Sequence, residues 1–201
     1  MARRRRSTTY TLVAAIISLF VYYGQQQGWF ASAMSSQPVQ KASNAVESNQ
    51  PGLYPVARYS DGDTITVTMN GTEETVRFIG VDTPETHDPR KKVQCGGTAA
   101  SAYTKNTLTA AGSRVRLAAD SQSGNRDRYN RLLRYVYLPD GTLWNEKLIR
   151  DGYGFYYPYF KFDKKADFAA AQKEAQDATR GVWANCSPKP TDGGGWISND
   201  L

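Results

Sequence analysis

Imidazole and thiol chemistry is nearly absent from this chain, which has one histidine, His87, and two cysteines, Cys95 and Cys186, in 201 residues. Two cysteines are too few for a structural zinc site, and one histidine does not complete one with them. Set among Thr, Asp and Pro, His87 reads as a loop residue rather than a base. No apolar run reaches the roughly 20 residues that a spanning helix ordinarily needs. The longest, Leu12 to about Tyr23, extends only to Thr8–Tyr23 at its most generous. There is no internal repeat and no regular alternation of strand and helix, which excludes a doubly wound sheet. Excess charge is also scarce where it would count. The net charge is +6, but four of the 25 Lys and Arg are Arg3–Arg6, leaving 21 bases against all 19 acids in the remainder. Bulk charge therefore does not argue for a nucleic-acid partner.

What is present divides into four parts. Residues 1–33 open with Arg3–Arg6, continue with the apolar run and close on Ala31-Ser32-Ala33. That pattern fits a signal peptide with a small-x-small cleavage site or, left uncleaved, an N-terminal membrane anchor. In both cases the arginines stay inside and the body is expected to be secreted or held extracytoplasmically at the membrane. Residues 34–52 are rich in Ser, Gln, Asn and Ala without apolar periodicity, a flexible linker. Residues 53–186 are the expected folded domain. Residues 187–201, rich in Pro and Gly, read as a disordered tail. In an exported chain, Cys95 and Cys186 are expected as a disulfide rather than two separate thiols. The long loop so closed is worth about 4–5 kcal/mol in the chain-entropy view.

Within the domain, Thr64–Met69 alternates with Ile65, Val67 and Met69 on one face. Asn70-Gly71 supplies a type I′ turn and Val76–Val81 returns as the second strand. Thr98–Ala111 predicts a helix stopped by Gly112, and Arg114–Ala119 and Leu132–Leu138 predict strands, the second closed by Pro139-Asp140-Gly141. Leu143–Asp151 and Asp163–Arg180 predict helices stopped by Gly152 and Gly181, with Asp163 as an N-cap. Strands, helix, strands, helices is the order of an α+β fold on a small barrel.

Three features carry candidate chemistry. Arg77 stands among Val76, Phe78 and Ile79, where an unpaired charge is costly. Either it lies in water on an edge strand or it aims a planar fork at a phosphate or carboxylate. Asp63 begins the first hairpin strand and Asp82 ends the returning one, so the hairpin brings two carboxylates together. Such a pair repels unless a cation lies between, and all-oxygen ligation selects a hard ion, with the Thr83 carbonyl a natural third ligand. Glu85 follows past Pro84 as a candidate base acting on a metal-bound water. Third, Asp127-Arg128-Tyr129-Asn130-Arg131 precedes a strand that can present Arg131, while Arg126, Arg128 and Arg134 read as surface charges.

The ordered set Asp61-Gly62-Asp63-Thr64, Arg77-Phe78-Ile79-Gly80-Val81-Asp82-Thr83-Pro84-Glu85, Asp127–Arg131, Asn145-Glu146 and Gly181-Val182-Trp183 resembles the staphylococcal-nuclease (thermonuclease) family over about residues 53–184. "DGDT" alone is weak; R-x4-D-T-P-E with D-x-Y-x-R is highly specific. The resemblance implies an OB-fold five-stranded β-barrel with three helices. It also implies a calcium-dependent nuclease acting on DNA and RNA and leaving 3′-phosphate ends. By match, Asp63, Asp82 and the Thr83 carbonyl hold Ca2+. Arg77, Glu85 and Arg131 are catalytic, and Tyr129 lines the nucleotide site. A further substrate tyrosine falls among Tyr156, Tyr157 and Tyr159, without a choice between them.

In-line attack at phosphorus builds charge on oxygens already charged, so a cation and arginine forks are the groups required. Aromatic side chains stack on bases without reading sequence, predicting low sequence specificity and salt-sensitive binding by a monomer. The alternatives are a nucleic-acid-binding OB-fold module that does not cleave, and an exported structural protein with a calcium-stabilised loop.

Overall fold

Ile65 and Val67 are fully buried, and their alternation makes Thr64–Met69 a strand, β2. Asn70 and Gly71 take φ values of 50° and 78°, the left-handed pair a type I′ turn demands. The chain then returns as β3, Thr72–Phe78, with Ile65 opposite Val76 and Thr64 opposite Arg77. The computed structural model describes residues 53–86 and 92–201. The leader, the linker and the loop with His87 and Asp88 lie outside the described residues.

Ahead of the hairpin runs β1, Tyr54–Asp61. It pairs with β2 through register shifts that break the two-residue period, which is why alternation did not reveal it. After β4, Val81–Asp82, comes helix α1, Gly97–Ala110, which buries Ala100, Thr104 and Leu108 at four-residue intervals. Strands β5, Arg114–Ala118, and β6, Leu132–Tyr137, complete a closed barrel in the order β1-β2-β3-β6-β5. Only the β3–β6 contact is parallel among the barrel pairs, with Arg77 opposite Leu133. Helix α2, Trp144–Arg150, strand β7, Phe155–Tyr156, helix α3, Lys165–Asp177, and the single turn α4, Val182–Asn185, follow. The fold is α+β, a five-stranded OB-type barrel with three longer helices.

The core joins Ile65, Val67, Val76, Phe78, Val115 and Val136 of the barrel to Trp144, Leu148 and Phe168 of the helices. A polar side chain also crosses it. Fully buried Asn145 on α2 accepts the Val136 N–H at 2.8 Å and donates to the carbonyls of Ile79 at 2.9 Å and Arg134 at 3.2 Å. It fastens α2 to β6 and to the turn directly after Arg77's strand.

Two expectations are corrected. Lys164, not Asp163, is the N-cap of α3, and it makes no side-chain cap bond. The Asp163 carboxylate instead accepts from Ser121 at 2.9 Å and Gln122 at 2.5 Å on the β5–β6 connection. The stretch from Ser187 is not a disordered tail, because Lys189–Pro190 and Trp196–Ile197 form a hairpin, β8–β9. Pro/Gly richness marks a tight turn here, and the Trp196 ring packs edge-on against Trp183 with centroids 5.0 Å apart. The folded unit therefore continues to Leu201. Cys95 and Cys186 do pair, with Cα atoms 5.8 Å apart.

Candidate active site

Arg77 is not in water. Its side chain is 14% exposed, with Nη1 2.7 Å from Asp63 Oδ2 and Nη2 2.6 Å from Asp82 Oδ1. Nη1 also donates to the Val81 carbonyl at 2.9 Å. Asp63 and Asp82 do come together with a guanidinium as the bridge, but not as the two ends of one hairpin: the returning strand stops at Phe78 rather than running to Val81, and a turn through Gly80, at φ 71°, leads into β4, which carries Asp82 and pairs with β7. Burial opposes the Arg77 charge, but the carboxylates of Asp63, Asp82 and Asp61 outweigh it and hold the guanidinium above its ordinary pKa.

Asp63 is fixed on every side. Its Oδ2 accepts the Thr83 N–H at 2.8 Å and the Thr83 hydroxyl at 3.1 Å, and its Oδ1 accepts the Thr64 hydroxyl at 3.0 Å. Gly62 permits this closeness, since a Cβ there would lie 2.7 Å from Thr83 Cγ2. Thr104 on α1 anchors the turn by donating to the Gly62 carbonyl at 2.6 Å. Asp61, read from sequence only as part of a turn, belongs to the same cluster. Burial first, then Asp63, pushes its carboxyl up to about 8.

On the other side of Arg77 opens a cavity of about 620 Å³ whose lining includes Arg77, Asp127, Tyr129, Arg131, Tyr157 and Phe160. Asp63, Asp82 and Glu85 are outside that lining, so Arg77 is the link between the acids and the cavity. Asp127 places Arg131. Its Oδ1 accepts the N–H groups of Tyr129 at 2.9 Å and Arg131 at 3.0 Å, while its Oδ2 receives Arg131 Nε at 2.7 Å. Burial works against the Asp127 charge, but Arg131's hydrogen bonds prevail and hold its carboxyl below the ordinary value. The Tyr129 ring, 58% exposed, lies beneath the guanidinium carbons of Arg128 at 4.8 Å and Arg131 at 5.3 Å.

Of the three tyrosines, Tyr157 is the one in the cavity lining. Tyr156 packs edge-on to Phe162, and the Tyr159 hydroxyl pairs with Thr191 of the β8–β9 hairpin. Tyr157 lines the cavity, tied there by its N–H donating to the Gly80 carbonyl at 2.9 Å. Burial and then the Asp82 charge raise its phenol, so it stays a donor. Glu85 lies three residues past Asp82, and its Oε1 accepts the Thr86 N–H at 2.9 Å. Arg126 keeps 32% of its side chain exposed and, at the surface, grips Glu74 of β3 through two bonds of 2.9 and 3.0 Å.

The donors near Asp63 fit a hard cation. They are carboxylate and carbonyl oxygens without sulfur, two carboxylates grip a single guanidinium, and the charge of a third, Asp61, acts on it as well. Among the described residues no three His, Cys, Asp or Glu side chains converge with metal-ligand spacing. An ion here would take Asp63, Asp82 and the Thr83 carbonyl and draw its remaining ligands from water or substrate.

A family model described as "Staphylococcal nuclease homologue" matches residues 75–185, which include Arg77, Asp82, Glu85 and Arg131. The chain belongs to the staphylococcal nuclease family. Its relatives in that family include the thermonuclease of Staphylococcus hyicus, 41% identical over 177 residues, covering 87% of this chain and 94% of the relative. The thermonuclease of Staphylococcus intermedius is 38% identical, covering 89% of this chain and 98% of its own. Endonuclease YncB of Bacillus subtilis (strain 168) is 37% identical, covering 74% and 71%. These alignments run past residue 75 into the "DGDT" turn, so nuclease-family likeness spans the whole barrel rather than the matched segment alone.

Proposed function

We propose that this chain is a calcium-dependent, sequence-nonspecific nuclease that hydrolyses DNA and RNA outside the cytoplasm as a monomer and leaves 3′-phosphate ends. Phosphodiester hydrolysis follows from the family; the finer statements are supported as follows. The observation that carries the reading is the pair of carboxylate-held arginines, Arg77 and Arg131, in the lining of one cavity. Two fixed guanidinium forks suit the anionic oxygens of a phosphodiester. Solvent-presented Tyr129 and Phe160, 58% and 66% exposed, suit stacking on unpaired bases without hydrogen-bond readout.

Asp63, Asp82 and the Thr83 carbonyl would hold the calcium ion. Bound there, it supplies charge against the phosphate and acidifies a coordinated water. Glu85 accepts the proton of the attacking water as its oxygen bonds to phosphorus. The bond from phosphorus to the 5′-oxygen breaks, and that oxygen leaves with a proton from solvent, so the phosphate remains on the 3′ side. Arg77 and Arg131 stabilise the equatorial charge from two sides, Arg131 nearer the leaving oxygen. The disulfide and the leader's composition support export to an oxidising compartment, with the leader either removed or kept as an anchor.

The test is digestion of single- and double-stranded DNA and of RNA with calcium, with chelator, and by Glu85→Gln and Arg77→Lys. Cleavage is expected only with calcium, lowered by about 100-fold or more in each variant. Undiminished cleavage in chelator or by Glu85→Gln refutes the mechanism, and binding without cleavage by the wild type favours a silent OB-fold module.

A further inference from the structure

Contacts from outside the acid cluster converge on the backbone of Glu85. Gln94 Oε1 accepts the Glu85 N–H at 2.9 Å, and the Gln94 N–H donates to the Glu85 carbonyl at 2.9 Å. One residue thus holds Glu85 on both its donor and its acceptor. Gly97 at the start of α1 lies against the same carbonyl, for a Cβ there would be 2.9 Å from the oxygens of both Glu85 and Pro84. Gln94 is 8% exposed, and its buried amide oxygen is spent on this one N–H. Pro84 fixes φ on one side and Gln94 fixes the residue itself, so the backbone from which the Glu85 carboxylate reaches is set, and Oε1 is held in addition by the Thr86 N–H at 2.9 Å.

Gln94 is braced in turn by the end of the chain. It forms an antiparallel bridge with Asp200. The Cys95 N–H donates to Asn199 O at 2.8 Å, Ser198 Oγ donates to Cys95 O at 2.7 Å, and the Leu201 N–H donates to Val93 O at 2.9 Å. Cys95, the next residue, is cross-linked to Cys186.

We propose that Gln94 is a positioning residue for Glu85, and that the Cys95–Cys186 cross-link with the Ser198–Leu201 segment keeps Gln94 in place. The proposal rests on Glu85 being the base that acts on water. It gives the ordered C-terminal segment a part in turnover that reaches Glu85 through Gln94.

The test is steady-state hydrolysis of single-stranded DNA with calcium by the full chain carrying Q94M, Q94E, E85Q, E85Q/Q94M, C95S/C186S or E85Q/C95S/C186S. Methionine keeps the side-chain length and removes the acceptor; glutamate restores the acceptor. Q94M is expected to lower kcat about tenfold with KM unchanged, and Q94E to recover most of that loss. Because Gln94 acts only through Glu85, Q94M is expected to add nothing to E85Q, and C95S/C186S to lower kcat without changing KM. Where Q94M does not fold, C95S/C186S carries the test, since its loss of kcat is expected to vanish in the E85Q background. Wild-type kcat in Q94M, an equal loss from Q94M or from C95S/C186S in the E85Q background, or a Q94E variant no more active than Q94M overturns the proposal. Full activity in E85Q overturns the reading of Glu85 itself, and this proposal with it.

Discussion

Replacing Asp127 by asparagine separates what holds Arg131 from what holds the loop around it. The amide keeps an oxygen for the N–H groups of Tyr129 and Arg131, the two bonds that set the turn at 2.9 and 3.0 Å. What it loses is the charge 2.7 Å from the Arg131 guanidinium, in a pair whose side chains are 29% and 18% exposed. A half-buried pair of this kind contributes about 1 kcal/mol, so melting is expected to fall by about 3 °C. Turnover is expected to suffer more than stability. A guanidinium no longer pinned through Nε samples other rotamers, and misplacing a group that stabilises the transition state costs about tenfold in kcat. The pH dependence carries its own signature. The Asp127 carboxyl lies below its ordinary value in the fold, so its stabilisation is present above the unfolded carboxylate range and lost as pH falls through the folded value. Wild type and Asp127→Asn should therefore differ in stability at neutral pH and converge in acid. Initial-rate kinetics on single-stranded DNA and thermal unfolding between neutral and acid pH measure both effects. Unchanged kcat in a folded Asp127→Asn protein would refute the argument that Asp127 places Arg131 for the reaction.

Three further substitutions probe the frame. Asn145→Ala strands the Val136 N–H and the Ile79 carbonyl in a fully buried place. It should cost about 3 kcal/mol in denaturant unfolding, and less than 1 kcal/mol would contradict the role assigned to it. Asp120 accepts from Tyr135 OH at 2.6 Å and from the N–H groups of Asp163, Gln122 and Ser123 at 2.8 Å each. Burial raises its carboxyl and these bonds bring it below the ordinary value, so Asp120→Asn should destabilise at neutral pH and match wild type in acid, read as melting temperature against pH. Gly97→Ala should lower both melting temperature and kcat, because its Cβ would press at 2.9 Å on the Glu85 carbonyl. A fully active alanine variant would show that this loop yields without cost.

Local chemistry made half of the site legible and topology hid the rest. Asp63 and Arg77 could be placed together because alternation and Asn70-Gly71 define one hairpin, and a hairpin's ends meet, whereas Asp82 lies beyond the hairpin on β4 and pairs with Phe155 of β7. The β3–β6 pairing could not be read, because no local pattern records which distant strand lies beside which. Strand β1 escaped notice through its register shifts, and Asp61 at its end went with it. Tyr157 was indistinguishable from Tyr156 in sequence. Side chains of neighbouring residues on an extended segment point to opposite faces, and only the pairing of Val81 with Tyr156 decides which one meets the cavity. The tail misled because glycine and proline mark tight turns as often as disorder, and the partner that orders it, Trp183, lies outside it.

The parallel contact explains why a barrel of this order can build such a site at all. Val76 pairs with Leu132 and Arg77 with Leu133, so Arg131, the residue before Leu132, lies one strand over from Arg77 and two residues back along it, level with Thr75. Two guanidinium groups at that spacing repel, and each is balanced by carboxylates of its own neighbourhood: Asp63 and Asp82 for Arg77, Asp127 for Arg131. Those acids settle position at the expense of net charge. A phosphodiester entering the cavity therefore meets forks already oriented, with little reorganisation left to pay on the way to the transition state. The same balance leaves the acids around Arg77 in excess, and under the function proposed above a hard cation would remove that excess without adding another protein charge to the barrel wall.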